Sequence, residues 1–337
     1  MINFFNYTYR ELKLFSHEHN IPINQLDSLI KYYYFSTPLI SQIAKKNIET
    51  FKHHFSFNLP EITKIQKSSD GTIKFLFRFE DQEEVETVLI PFYKRYTVCL
   101  STQVGCAMKC EFCYTGTQGY KRNLSSAEII GQYLKAYEYL KKEVPEKSLK
   151  PNIVFMGQGE PLLNTTELKK ALDIFLNPKM IDLGFRQITL STVGQLSGIK
   201  LLKEFPRINI ALSLHAPTNE KRNQIIPLNQ TYPIESILEE LDKIPLMKRQ
   251  FITYEYLLLD EFNMSDEDVT GLVHLLSKRK AIVNLIPFNP FPGSRFKRPT
   301  KAKIDQFKEK LVAHKLNVMI RTTKGDDILA ACGQLKS

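Results

Sequence analysis

The chain has 337 residues, 43% hydrophobic and 24% charged, a balance that fits a globular protein built as one large barrel with an appendage or as two domains. No apolar run approaches bilayer-spanning length, and Met1-Ile2-Asn3-Phe4-Phe5-Asn6 lacks the basic opening and small-residue cleavage site of a secretory signal, so a cytoplasmic protein with no membrane partner is expected. Lys and Arg outnumber Asp and Glu by 46 to 36, which suits a phosphate-rich partner as well as a plain basic protein, and five cysteines are an odd count for a secreted disulfide framework.

Residues 1–60 read as a small helical domain. Apolar spacing predicts helices over Tyr9–His17, over Gln25–Phe35 with Asn24 as its N-cap, and over Pro38–Phe55. The run Tyr32-Tyr33-Tyr34-Phe35 reads as core packing, and Lys45, Lys46 and Lys52 make this domain a candidate RNA-contacting accessory module. Residues 61–96 read as a β-hairpin extension: Ile62–Gln66, a turn at Lys67-Ser68-Ser69-Asp70-Gly71, Thr72–Glu80, then a third strand over Glu84–Pro91. Ile73, Phe75, Phe77 and Phe79 alternate with Lys74, Leu76 and Arg78, so one face is buried, and alternation alone makes Glu86 a solvated position.

Residues 97–337 change to a strand-then-helix rhythm. Six strand-like runs, Thr97–Ser101, Asn152–Met156, Gln187–Ser191, Ile208–Leu214, Ile252–Leu259 and Ala281–Ile286, alternate with helical stretches, and Asn317–Arg321 closes or extends the series. One helix opens on the capping-box spacing Ser125-Ser126-Ala127-Glu128, another spans Ile234–Leu241, and Lys141–Lys150 is a charged loop. The expected fold is α/β, a partial (β/α)6 barrel with the small N-terminal helical domain and the β-hairpin extension. In such barrels the loops after the strands build the site.

After the first of these strands stand Cys106, Cys110 and Cys113, at the spacing Cys-x3-Cys-x2-Cys. Structural zinc usually takes paired Cys-x2-Cys half-sites or closely spaced histidines, and neither is present. Three thiolates on a four-iron cluster leave one iron open, which can chelate S-adenosylmethionine and cleave it to an adenosyl radical. The loops after the later strands carry Gly157-Gln158-Gly159-Glu160-Pro161, a backbone able to approach a ligand closely, then Ser191-Thr192, Ser213-Leu214-His215 and Pro287-Phe288-Asn289-Pro290. A lone histidine such as His215 is more often structural than catalytic. Cys332 sits among small residues in Ala330-Ala331-Cys332-Gly333, which suits a mobile thiol that something bulky approaches as well as a buried free one.

Taken together these residues resemble the radical S-adenosylmethionine RNA adenine methyltransferases of the RlmN family, with the Cfr enzymes as close relatives. The resemblance runs from about Glu86 to Ser337. It rests on Ser101-Thr102-Gln103-Val104-Gly105-Cys106, Gly157-Gln158-Gly159-Glu160-Pro161-Leu162, Ser213-Leu214-His215-Ala216-Pro217, the run Asn284 to Gly293, and Ala331-Cys332-Gly333-Gln334-Leu335. It implies a radical-SAM barrel in which Cys106, Cys110 and Cys113 hold one [4Fe-4S] cluster. Gly159, Glu160, Ser191, Ser213, Leu214, His215 and Asn289 would line the S-adenosylmethionine pocket, Cys332 would carry a methyl group, Cys99 would form a disulfide with it, and Glu86 would accept a proton.

The implied reaction uses two S-adenosylmethionine per turnover. One methylates Cys332, the other yields the radical that activates the methyl-cysteine toward C2 of an adenine. A protein–RNA crosslink follows and is resolved by the disulfide. The implied partners are 23S ribosomal RNA, transfer RNA (adenine 37) as a further substrate, and an electron donor such as flavodoxin, with a monomer expected. The alternatives are Cfr-like C8 methylation and a non-catalytic Fe–S RNA-binding protein. Tyr114, directly after the trio, is larger than the small residue expected of most relatives, and residues 1–85 carry no motif of the resemblance. Lys297, Arg298, Lys301 and Lys303 are candidate phosphate contacts.

Overall fold

The computed structural model describes residues 1–38, 43–93, 95–144 and 149–337. The N-terminal helices are α1 (Tyr9–Glu18), α2 (Ile23–Phe35) and α3 (Lys45–His54). Thr8 caps α1 through a capping box with Glu11, which satisfies two amides that the first turn would leave open. Asn24 is not the cap of α2. Pro22 takes that position, its ring fixing φ at −61° and pre-setting the chain to enter the helix two residues early. Of the helix expected from Pro38, residues 39–42 lie outside the described residues, and the remainder is α3. The aromatic run packs as expected: Tyr33 stacks on Phe57 with ring centroids 3.7 Å apart, and Tyr34 is buried among Phe4 and Phe5.

One ten-stranded sheet organises the rest. Its strands are β1 (Glu61–Lys67), β2 (Ile73–Arg78), β3 (Glu84–Pro91), β4 (Tyr96–Cys99), β5 (Asn152–Phe155), β6 (Ile188–Thr192), β7 (Asn209–Ser213), β8 (Ile252–Leu258), β9 (Ala281–Pro287) and β10 (Val318–Ile320). Spatial order follows chain order from β1 to β10. β1 to β4 pair antiparallel, and β4 to β10 pair parallel. Parallel neighbours need a crossover. It is supplied in turn by α4 (Ser126–Glu143), α5 (Thr165–Leu176), α6 (Leu196–Leu201), α7 (Asn219–Ile225) with α8 (Ile234–Asp242), α9 (Asp266–Leu276) and α10 (Lys301–Ala313). β1 and β10 do not pair with each other, so the barrel stays partial and β10 extends it rather than closing it. Of the charged loop after α4, residues 145–148 lie outside the described residues.

β2 departs from the alternation reading. Ile73, Phe75 and Phe77 bury one face as expected, but Lys74 on the other face is only 6% exposed, and Glu86 on β3 is equally covered. Register places Leu76 opposite Glu86, so Lys74 and Glu86 are diagonal neighbours on that second face. The C-terminal tail, residues 325–337, lies across it. Gly325 N donates to Asp70 at 2.9 Å, and Asp327 accepts from Ser68 Oγ at 2.6 Å and from Ser69 N at 3.1 Å. A segment some 250 residues downstream thus converts a solvated face into an interior one, which local periodicity has no means of signalling.

Candidate functional site

The loop bearing the three cysteines is closed at its base by a short antiparallel pairing of Gln103–Gly105 with Tyr120–Asn123. Gly105 permits this closure. At φ +69° a Cβ there would lie 1.9 Å from Gly119 O, and the next amide, Cys106 N, donates to the same carbonyl at 2.8 Å. Cys113 N donates to Cys110 O at 3.1 Å, and Glu111 N anchors the loop to the end of α7 through Ile225 O at 3.0 Å. Tyr114 lies flat against Phe291, ring centroids 5.0 Å apart, so the larger residue at this position is absorbed by the loop after β9.

Cys106, Cys110 and Cys113 line one wall of a cavity of about 120 Å³. Burial pushes all three thiols up, Cys106 to about 12. They stay protonated until a metal draws their protons off. Among the described residues no group of three or more His, Cys, Asp or Glu side chains is drawn together closely enough to hold a single metal ion.

The opposite wall is polar. Glu160, 2% exposed, accepts from Leu162 N and Val193 N, each at 3.0 Å. Ser191 Oγ donates to Glu255 Oε2 at 2.8 Å and stands 3.4 Å from Ser213 Oγ. Glu255 Oε1 is buried and has no hydrogen-bond partner among the described residues, with the Arg321 guanidinium 3.7 Å away. A buried carboxylate oxygen in a cavity wall that accepts no hydrogen bond is an acceptor available to a ligand's donor. Soft thiols on one side and carboxylates and hydroxyls on the other fit a cluster with an open iron and a ligand carrying an ammonium and ribose hydroxyls.

Gly157 and Gly159 both line this cavity, and packing also requires that neither carry a side chain. A Cβ on Gly157 would lie 2.7 Å from Leu100 C and O, and one on Gly159, at φ +101°, 2.6 Å from the Gln103 side chain. Leu214 does not line the cavity; its amide and carbonyl are bonded to Glu255 O and Arg222. His215 does line it, held by the loop. Its Nδ1 accepts from Leu257 N at 3.1 Å, and its ring meets Phe112 edge-on at 4.7 Å.

Burial, reinforced by Arg222, pushes the His215 imidazole down to about 3. Folding therefore discards a proton that the unfolded chain binds below about 6.5. The stability that a neutral His215 preserves is complete above that pH and is lost as pH falls toward 3, at about 1.4 kcal/mol per unit. We expect the urea midpoint of wild type to fall more steeply below pH 6.5 than that of His215→Gln, whose amide oxygen can still accept from Leu257 N. Equal slopes would remove His215 as the source.

A second, smaller cavity adjoins the first. Cys99, at the end of β4, Arg321, just past β10, and Asn289, after β9, line it. Cys332 lines both cavities. Asn289 thus faces the two thiols rather than the trio, and its Nδ2 donates to Cys332 O at 3.2 Å. Tyr114 N donates to Gly333 O at 2.7 Å, which seats the tail on the cysteine loop. Burial pushes Cys99 to about 12 and Cys332 to about 11, with the Arg321 charge opposing both shifts. Glu86 lies outside both cavities. It pairs with Lys74 at 2.9 Å beneath the tail, and burial raises its carboxyl. Of the basic run after β9, Arg298 is tied to Phe288 O, Asn289 and Asp326, and Lys303 to Asp260, so two of the four candidate phosphate contacts are engaged within the chain.

Sequence reading missed Glu255, Arg222, Arg321 and Lys74. Glu255 had a signal, a lone acid inside the apolar run Ile252–Leu258. Arg222 and Arg321 had none, since a basic residue in a short helix or at a strand end usually faces water.

Residues 100–273 match the family model of the radical SAM superfamily. A probable dual-specificity RNA methyltransferase RlmN of Syntrophomonas wolfei is 46% identical over 270 residues, covering 78% of this chain and 76% of its own. Its counterpart in Aquifex aeolicus is 37% identical over 341 residues, covering 98% and 96%, and so spans the N-terminal 85 residues as well. Among solved structures, a radical SAM methyltransferase from Sphaerobacter thermophilus superposes with a TM-score of 0.88 at 32% identity, over 100% of this chain and 99% of that one.

Proposed function

The chain belongs to the radical SAM superfamily and within it to the RlmN family of RNA methyltransferases, and from that membership we propose how its residues divide the labour of methylating adenine C2 in 23S ribosomal RNA and transfer RNA. Cys106, Cys110 and Cys113 hold the [4Fe-4S] cluster, and the wall of Glu160, Ser191, Ser213 and Glu255 receives S-adenosylmethionine, two molecules being consumed per turnover. The bound pair supplies one-electron chemistry, a carbon radical able to take hydrogen from an unactivated methyl group.

Adenine C2 carries a hydrogen of no useful acidity on an electron-poor ring, so a methyl cation donor cannot react there and a carbon radical can. Cys332 carries the methyl group as a thioether and joins it to C2, which links protein and RNA covalently. Glu86 takes the ring proton as the adduct radical gives up one electron, for which the cluster would be the acceptor. Cys99, deprotonated, then attacks Cys332 sulfur, the released carbon takes up a proton to become the methyl group of the departing RNA, and a reductant returns the disulfide to two thiols. The electron comes from a donor of the flavodoxin type, and residues 1–60 contact the RNA as an accessory domain. The protein works as a cytoplasmic monomer.

One observation carries this reading: Cys332 lines both the cavity of the trio and the cavity of Cys99, so a single thiol can serve two successive partners. The test is nucleoside mass spectrometry of ribosomal and transfer RNA after incubation with anaerobically reconstituted protein, S-adenosylmethionine and reductant. The expected product is 2-methyladenosine. Formation of 8-methyladenosine, or of no methylated adenine from protein with a full cluster, would overturn it.

A further inference from the structure

The thiol loop needs a seat, because the tail that carries it belongs to no helix or strand of the barrel. We propose that the Lys74–Glu86 ion pair is a two-point clasp that seats the Cys332 loop, an inference that rests on reading Cys332 as the methyl carrier and makes Lys74 a positioning residue for it. Lys74 comes from β2 and Glu86 from β3, both in the extension, and their charged atoms are 2.9 Å apart. Each also holds the tail. Lys74 Nζ donates to Leu329 O at 3.1 Å, and Glu86 Oε2 accepts from Lys336 N at 2.8 Å. Leu329 stands three residues before Cys332 and Lys336 four after it, so one pair grips both flanks of the thiol.

The gripped backbone is held in a form it would not choose. Leu329 has φ +52°, a left-handed conformation that a branched non-glycine residue keeps only where its surroundings over-determine it. Lys74 provides part of that determination by binding the Leu329 carbonyl. Both charges are at most 7% exposed at the side chain, so neither hydrogen bond competes with water. The charged groups facing Glu86 are Lys74 from β2 and, farther off, Lys64 from β1; the tail presents the Lys336 amide. The clasp therefore holds in full only while Glu86 is ionised, and a neutral Glu86 keeps the amide contact but loses the ion pair.

The test uses the full chain, reduced and without cofactors. Iodoacetamide labelling of Cys332 is followed by peptide mass spectrometry, alongside hydrogen exchange of residues 325–337. Lys74→Met and Glu86→Gln are expected to raise the labelling rate about tenfold, the effect of losing one hydrogen bond to a charged group, with the faster exchange confined to the tail. Lys74→Arg restores slow labelling. Lys74→Met/Glu86→Leu, which leaves no unpaired buried charge, labels as fast as the single variants and no faster, since both residues serve one device.

Wild-type labelling in Lys74→Met or in the double variant overturns the proposal, as does loosening spread equally through β1 to β3. No RNA or cofactor enters the measurement. Its failure leaves the methyl-transfer reading standing, and failure to find methylated adenine leaves the clasp standing.

Discussion

A Cys332→Ala enzyme is expected to transfer no methyl group to RNA, with kcat reduced on the order of 10⁶ or more, the scale of losing a covalent nucleophile. The loss is chemical rather than structural. The loop at this position is held through backbone: Asn289 Nδ2 to Cys332 O, Tyr114 N to Gly333 O, and Thr115 Oγ1 to Leu335 O at 2.7 Å. None of these needs the thiol. The variant should therefore bind iron and sulfide in wild-type amounts on Cys106, Cys110 and Cys113.

Cys99→Ala fails one step later. It can accept and deliver the methyl group but cannot attack Cys332 sulfur, so a protein–RNA adduct accumulates to the enzyme concentration and migrates as a retarded band. Full turnover by either variant, measured as methylated adenine per enzyme, would show that the carrier or the resolving thiol lies elsewhere.

The largest effect on stability is expected at Arg222. Its side chain is fully buried and its guanidinium bonds to four neutral oxygens: Leu214 O at 2.9 Å, Asn229 Oδ1 at 2.8 Å, Val193 O at 2.6 Å and Ser213 O at 2.9 Å. Three of these lie at the end of β7 and just after β6 and β7, where the chain turns into the site loops. Arg222→Met keeps much of the volume but strands those acceptors, each costing about 1–3 kcal/mol when buried unpaired.

With partial relaxation the loss should be about 3–6 kcal/mol, a large share of the 5–15 kcal/mol typical of a folded protein. Arg222→Lys recovers little, because a point charge cannot reproduce a planar fork to four acceptors. Denaturant unfolding checks this through the midpoint at constant m-value, and a shift worth under about 1 kcal/mol would show that the fork is not what ties the loops.

Much of this was readable in the chain. The strands from β4 to β10 were legible because a parallel sheet buries both faces and leaves near-continuous apolar runs, as in Ile153-Val154-Phe155 and Tyr256-Leu257-Leu258. The grouping of Cys106, Cys110 and Cys113 on one cavity wall was legible because the three are local in sequence. What stayed hidden depends on distant segments meeting. Lys74 and Glu86 follow a perfect alternation that the tail overrules, and Asn289 belongs with Cys332 because β9 and the tail meet in space. Asn24 failed for a local reason, the stronger preset of Pro22 two residues earlier.

The hydrogen bond between Glu86 and Lys336 closes a loop of 250 residues. The entropy of closing a loop grows only slowly with its length, so the stability penalty is modest. The kinetic consequence is larger, because the strands between the two residues must be in register before the tail has a groove to enter. The thiol loop is therefore the last part of the molecule to assemble. Its apolar contacts are confined to the small cluster of Ile328, Ala330 and Leu335 with Val88, Ile90 and Cys99, separate from the main core, so it is also expected to be the first part to open when conditions weaken the fold. Catalytic competence should then disappear at denaturant concentrations where the barrel is still intact.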